Sequence, residues 1–249
     1  MSTLRDRKTS QSRPKAAGQL FAPRAIALAA PKVIVPASAH TLAGYRAWAK
    51  SEAFPNRGQI FFLDQEIYID MSPEELENHA KVKLEIGRVL ANLNKRRKQG
   101  EFYPDGTLVT NLEANLSTEP DGTFIKWESL ESRRVHLVPR EGAQGEFIEL
   151  EGSPDWVLEI ISKYSVRKDT NTLRERYHRA KVSEYWLVDA RSDRMEFTIL
   201  IWHKDGYEPG PLRGGWQRSG VFGRWFQLVR RRGRMKLWEY TLRSKSSSR

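Results

Sequence analysis

Alternation between apolar and polar positions divides the chain into short stretches. In QIFFLDQEIYID (59–70) an apolar run breaks at Asp64–Gln65. Beyond it Ile67 and Ile69 alternate with Tyr68 and Asp70, which predicts two strands joined by a tight turn. The period then changes. Val82, Ile86, Val89, Leu90 and Leu93 recur at three- and four-residue spacing, the mark of a helix burying one stripe. Ser72 is the expected N-cap of this long helix, with Pro73 in its first turn and Glu75 completing a capping box. The basic run Lys95–Lys98 suits its C-terminal end. Upstream, Thr41 is placed to cap a shorter helix over 42–53.

Four short runs follow, at 106–112, 122–130, 133–139 and 146–152, bounded by Gly, Pro and Asn; each reads as a strand. DWVLEIIS (155–162) and EYWLVDA (184–190) are nearly continuous apolar runs, as buried strands are. A helix over 170–180 lies between them, which predicts a crossover unit. Residues 195–209 and 216–228 read as an antiparallel extension. The fold class is α/β (α+β): one mixed sheet flanked by helices over 39–242, with basic ends at 1–38 and 243–249.

Composition alters this picture in two ways. The 249 residues include no cysteine, which excludes disulfides, thiolate zinc sites and a cysteine nucleophile and makes a reducing, cytoplasmic setting the default. No apolar run approaches the roughly 18–20 residues of a membrane helix, so no membrane partner is expected. The net charge of +11 invites a nucleic-acid reading. It is concentrated at the ends, however: +6 over residues 1–39 and +7 over 230–249, leaving −2 for the 190 residues between. Such ends can hold a polyanion in a salt-dependent way or can simply be solvated. The Arg- and Ser-rich start also has the composition of a transit peptide.

Two acids interrupt apolar strands. Glu159 shares a strand face with Val157 and Ile161, while Trp156, Leu158 and Ile160 take the other. A buried carboxylate is costly unless it is paired or bound to a metal. Asp121 follows Pro120 at the entry to the strand at 122. Pro-Asp-Gly by itself is a turn, but two acids from neighbouring strands can share one hard cation, and Mg²⁺ accepts one or two carboxylates with waters and phosphate oxygens completing its shell. No Gly-rich phosphate loop and no G-x-S-x-G elbow is present, and the five histidines lack metal-ligand spacing.

The ordered set EPDGTFIKWESL (119–130), GSPDWVLEIISKYSVRKDT (152–170) and RERYHRAKVSEYWLVDA (174–190), with FFLDQEIYIDMSPEELENHAKVKLEIGRVL (61–90) upstream, resembles the Uma family (Uma two) of restriction-endonuclease-like proteins within the PD-(D/E)XK nuclease superfamily. The likeness spans roughly residues 55–200. It implies a mixed sheet flanked by helices, bound Mg²⁺ (or Mn²⁺), and hydrolysis of DNA, with a homodimer left open. Position by position, it assigns Asp121, Glu159 and the Ile160 carbonyl to the metal. Asp155, Ser162 and Asp169 match flanking polar positions, and His79 a histidine early in the long helix.

The departures bear on activity. The superfamily lysine would fall at Ile161, and the family's usual lysine, four residues before Tyr177, at Leu173. Lys168 is the expected substitute, ahead of Lys163 and Arg174. Phe61 and Gln65 stand where Glu and Gly are common, and Glu77 or Glu85 from the long helix could replace the lost acid. A nuclease-fold protein with a weakened site, acting as a nucleic-acid or protein binding module, is the alternative reading.

Overall fold

The computed structural model describes residues 33–246. The basic N-terminal segment expected over 1–38 lies almost wholly outside them. Helix α1 (Leu42–Ala49) is capped by Thr41, whose hydroxyl oxygen accepts from the Gly44 amide at 3.1 Å. The hairpin β1 (Gln59–Leu63) and β2 (Glu66–Asp70) turns at Asp64–Gln65, both at positive φ (52° and 74°), as a two-residue hairpin turn requires.

The long helix α2 (Lys81–Arg97) buries Val82, Ile86, Leu90 and Leu93, the stripe its periodicity predicts. Its start differs from expectation. A wide, π-type turn over Leu76–Ala80 leads into it, and Glu75 is the cap, accepting from the Glu77 amide at 2.9 Å and from the Asn78 amide. Ser72 bonds instead to the Asp70 carboxylate, through both its amide (2.9 Å) and its hydroxyl. Pro73 disfavours helical backbone at the residue before it, so the helix opens later.

Strands β3 (Gly100–Pro104), β4 (Val109–Asn111), β5 (Leu116–Thr118) and β6 (Gly122–Lys126) follow. The run expected as one strand over 122–130 stops at Lys126 and continues as the short helix α3 (Trp127–Glu131). Then come β7 (Val135–Pro139), β8 (Phe147–Gly152), β9 (Trp156–Ile160), a second π-type turn (Lys168–Thr172), α4 (Leu173–Arg179) and β10 (Glu184–Asp189). The chain closes with β11 (Glu196–His203), β12 (Gly206–Pro209), β13 (Leu212–Arg213), β14 (Trp216–Ser219), β15 (Arg224–Arg232) and β16 (Trp238–Ser246). Because β16 runs to Ser246, the C-terminal end expected from residue 243 begins inside a strand.

The fold is mixed α+β, with three sheets where one was expected. The central sheet has the order β12-β11-β10-β9-β6-β3; β9 and β10 are parallel, joined through α4 as the crossover pattern predicts. A second six-stranded sheet runs β2-β1-β5-β4-β8-β7, and the four C-terminal strands form the third in chain order. One face of the central sheet, with Trp156, Leu158 and Trp186, packs on α2 and on Phe226, Leu228 and Leu242 of the third sheet. The other face, with Val157 and Tyr185, packs on α4 and on Phe61 and Leu63 of β1.

The π-type turn and helix α2 together protect the free edge of β16, as exposed edges need. Glu77 accepts from the Trp238 amide at 2.7 Å and Glu85 from the Leu242 amide at 3.0 Å. Glu85→Ala strands a strand N–H in a buried setting and should lower stability by about 1–3 kcal/mol, read as a lower melting temperature. Unchanged melting would mean water replaces the carboxylate there.

Candidate active site

Strands β6 and β9 are antiparallel, with Gly122 opposite Leu158. The paired register ends at Gly122; Asp121 just precedes it, and its carboxylate accepts from the amide of Ile160, the residue after Glu159, so that its charge acts on the Glu159 carboxyl. Both residues are buried. Like charges so placed repel, and each must be compensated.

Asp121 is held from three directions. Its Oδ2 accepts from the Ile160 amide at 2.7 Å and lies 3.5 Å from His79 Nε2, while Oδ1 lies 3.4 Å from Lys83 Nζ. Glu74 bridges the two helix residues, at 2.9 Å from His79 Nδ1 and 2.5 Å from Lys83 Nζ; Lys83 also meets Asp105 at 2.6 Å. Glu159 accepts from the Tyr177 hydroxyl of α4 at 2.7 Å. Asp169, also buried, takes a short hydrogen bond from the Ser165 hydroxyl, and its Oδ1 lies 3.1 Å from Lys168 Nζ. The Lys168 ammonium rests 4.1 Å above the Phe61 ring, a cation–π contact.

Electrostatics follow from this geometry. Burial pushes the Glu159 carboxyl well above its ordinary range; Lys168 pulls it back, and the charges of Asp169 and Asp121 add to the rise. Asp121 and Asp169 are raised for the same first reason, against the pull of His79 and Lys83 on one and of Lys168 on the other. Burial lowers Lys168, but Glu159 and Asp169 outweigh it and keep the amine above its usual value. Glu119, just upstream, is pushed up to about 7 by burial, with Asp105 adding to it.

The predicted residues separate into two groups. Asp121, Glu159, Lys168, Asp169 and His79 are brought together, and the Ile160 amide joins them through Asp121. Asp155 is not: it sits before the other end of β9, about 13 Å away at strand rise, and is taken by the Lys126 amide (2.8 Å) and Arg134 (2.7 Å). Glu77 and Glu85 are not, because they bond the β16 edge. Lys163 points over Tyr164, Arg174 donates to the Tyr207 carbonyl, and Ser162 caps its own turn at Ser165. Leu173, at the expected lysine position, is buried in the core.

Lys83, Glu74 and the Tyr177–Glu159 bond are additions. Lys83 was legible in principle: His79 and Lys83 are four apart and so share one face, on one flank of the apolar stripe of α2. Both wide turns serve the site, one carrying His79 and the other Lys168 and Asp169; single π turns recur at functional positions.

Among the described residues no three His, Cys, Asp or Glu side chains form a ready metal cluster. The donors present still suit Mg²⁺, which needs only one or two carboxylates. Asp121 Oδ1 is buried without a hydrogen-bond partner. Glu74, Asp105, Asp121, Glu159 and Asp169 gather around Lys83, Lys168 and His79. A cleft of about 670 Å³, lined by Phe61, Glu66, Tyr68, Asp70, Arg167 and Lys168 among others, shares Lys168 with the cluster but none of its five acids.

A family model described as "Uma2: Putative restriction endonuclease" matches residues 43–228. The chain belongs to the Uma2 family. The match takes in both acids, the two wide turns and the crossover unit, and it ends within β15. Among solved structures, the chain is similar to a "putative nuclease belonging to DUF820" from Anabaena variabilis ATCC 29413. The identity is 17%, the TM-score 0.53, and the likeness covers 73% of this chain and 90% of that one. It supports the fold. No curated protein matches. Among the described residues no helix is long and apolar enough to cross a membrane.

Proposed function

We propose that this Uma2 protein is a Mg²⁺- or Mn²⁺-dependent endonuclease that hydrolyses DNA phosphodiester bonds. The observation that carries the reading is that the charge of the buried Asp121 acts on the buried Glu159, with the half-buried Lys168 acting on both. Asp121 and Glu159 would hold the ion. The Ile160 carbonyl would join them, because extended backbone sends a residue's N–H and C=O to the same strand edge and the Ile160 N–H already points at Asp121. A hard divalent ion there supplies an acidified water and offsets charge on the phosphate.

The chain's own residues do the rest. Tyr177 fixes the Glu159 rotamer, and His79 and Lys83 fix Asp121, so neither carboxylate has to reorganise. Lys168 lines the cleft, and its ammonium would hold a non-bridging phosphate oxygen there. Its present partners, Asp169 and the Phe61 ring, favour a second reading, in which the amine is fully engaged and the site binds without cutting.

A supercoiled-plasmid nicking assay separates the two. On the first reading, cleavage requires Mg²⁺ or Mn²⁺, stops in EDTA, and falls by about 10²–10³ in Lys168→Met. Cleavage that persists in EDTA, or at an unchanged rate in Lys168→Met, would count against it. Metal binding without cleavage would select the second reading.

A further inference from the structure

The third sheet has an outer face that neither the acid cluster nor the core uses. Phe226, Leu228 and Leu242 point into the core. By strand alternation, Trp225, Gln227, Val229 and Arg231 of β15 point away from it. With them point Trp216 and Arg218 of β14, Arg213 of β13, and Glu239, Thr241, Arg243 and Lys245 of β16. The pairings Arg218 with Trp225, Trp225 with Lys245 and Gln227 with Arg243 align these side chains across the sheet.

Cations cover the rings. Lys245 Nζ lies 4.3 Å from the centre of Trp216, and the Arg213 guanidinium lies 5.6 Å from that of Trp225. A small cleft of about 240 Å³ opens between Arg213, Trp225, Lys245 and Ser246. The single acid of this face, Glu239, is taken by Arg231 at 2.7 Å, which leaves Arg213, Arg218, Arg243 and Lys245 as surplus positive charge.

We infer that this face is a docking surface for single-stranded nucleic acid. Four surplus cations call for a polyanion, and they repel a second copy of the same face. Indole rings on a flat sheet can stack on bases, but only on bases whose π-faces are free, as in an unpaired strand. A duplex buries those faces. Flexible arginine and lysine arms can leave the rings for phosphates as bases take their place. The face is completed by β16, beyond the residue at which the family match ends. It packs against the side of the central sheet opposite to Glu159, so docking would be independent of the proposed cleavage.

Binding of labelled dT15, and of a duplex of equal length, to the full chain in EDTA tests this by fluorescence anisotropy. The strand should bind more tightly than the duplex and quench indole emission. Trp225→Ala should weaken dT15 by about tenfold or more, and Trp225→Phe by much less. The double substitution Arg213→Gln with Lys245→Gln should lower the slope of log affinity against log salt by about 1.4. It carries the test alone if Trp225→Ala fails to fold. The inference is overturned if Trp225→Ala binds dT15 like the parent, if the duplex binds as well as the strand, or if a poly-glutamate peptide displaces dT15 as well as unlabelled dT15 does.

Discussion

Glu159→Gln is expected to reduce metal-dependent DNA cleavage by on the order of 10³ or more while leaving the protein folded and more resistant to heat at neutral pH and above. The two effects share a cause. Glu159 is the most shielded acid facing the proposed ion, and burial already holds its carboxyl well above the ordinary range. Ionising it without a cation is costly. Glutamine is nearly isosteric, and its carbonyl can still accept from the Tyr177 hydroxyl, now at 2.7 Å from Glu159. The packing around Val157 and Tyr185 therefore survives, and only the charge is lost. A purified variant that melts at or above the parent temperature but fails to nick plasmid with Mg²⁺ fits this account. One that cuts at the parental rate would show that the metal, if any, lies elsewhere.

The second large effect is on stability against pH. In EDTA the protein should lose stability as pH rises from about 5 through 7, and Mg²⁺ should restore part of it. Asp121, Glu159, Asp169 and Glu184 all have carboxyls raised by burial, and Glu119 is raised to about 7. An acid whose folded value lies above its unfolded one binds more protons when folded. Stability from such a group is complete below the unfolded value and is lost as pH rises toward the folded one. Each unit of displacement is worth about 1.4 kcal/mol. Glu119 sets one step in this fall, ending near pH 7. A ligand present at 100 times its dissociation constant adds about 2.7 kcal/mol, so saturating Mg²⁺ should flatten the upper part of the curve, and should do so less in Glu159→Gln. Chemical denaturation at pH 5, 6, 7 and 8, with and without Mg²⁺, measures both. A metal-free stability that climbs with pH would contradict the burial of these acids.

Much of the site was legible because it lies on strong local patterns. Glu159 declares itself by interrupting WVLEII, and the alternation there assigns it to the face of Val157. Asp121 is a turn residue by composition, and only its partnership with Glu159 makes it more. Residues whose roles depend on partners distant in sequence were misplaced or unseen. Glu77 shares the π-type turn with His79, and Glu85 shares α2 with Lys83, yet their carboxylates meet the edge of β16, about 160 positions later in the chain. Asp155 opens the same strand as Glu159 but meets Arg134 instead. Lys168 reaches the acids through a π-type turn, which adds a residue to one helical turn and so shifts the side-chain phase that a 3.6-residue period would assign.

What the sequence determined by itself were the elements and their faces: the hairpin turn at Asp64–Gln65, the stripe of α2, the parallel crossover from β9 to β10, and the acid inside a buried strand. Each follows from interactions between near neighbours, in which backbone preference and hydrophobic period agree. The tertiary structure alone decided how the strands divide into three sheets, which of many acids converge, and which face of the C-terminal sheet is left with tryptophans and surplus positive charge. Those outcomes depend on contacts between segments far apart in the chain, where burial and electrostatic compensation are set by the whole fold.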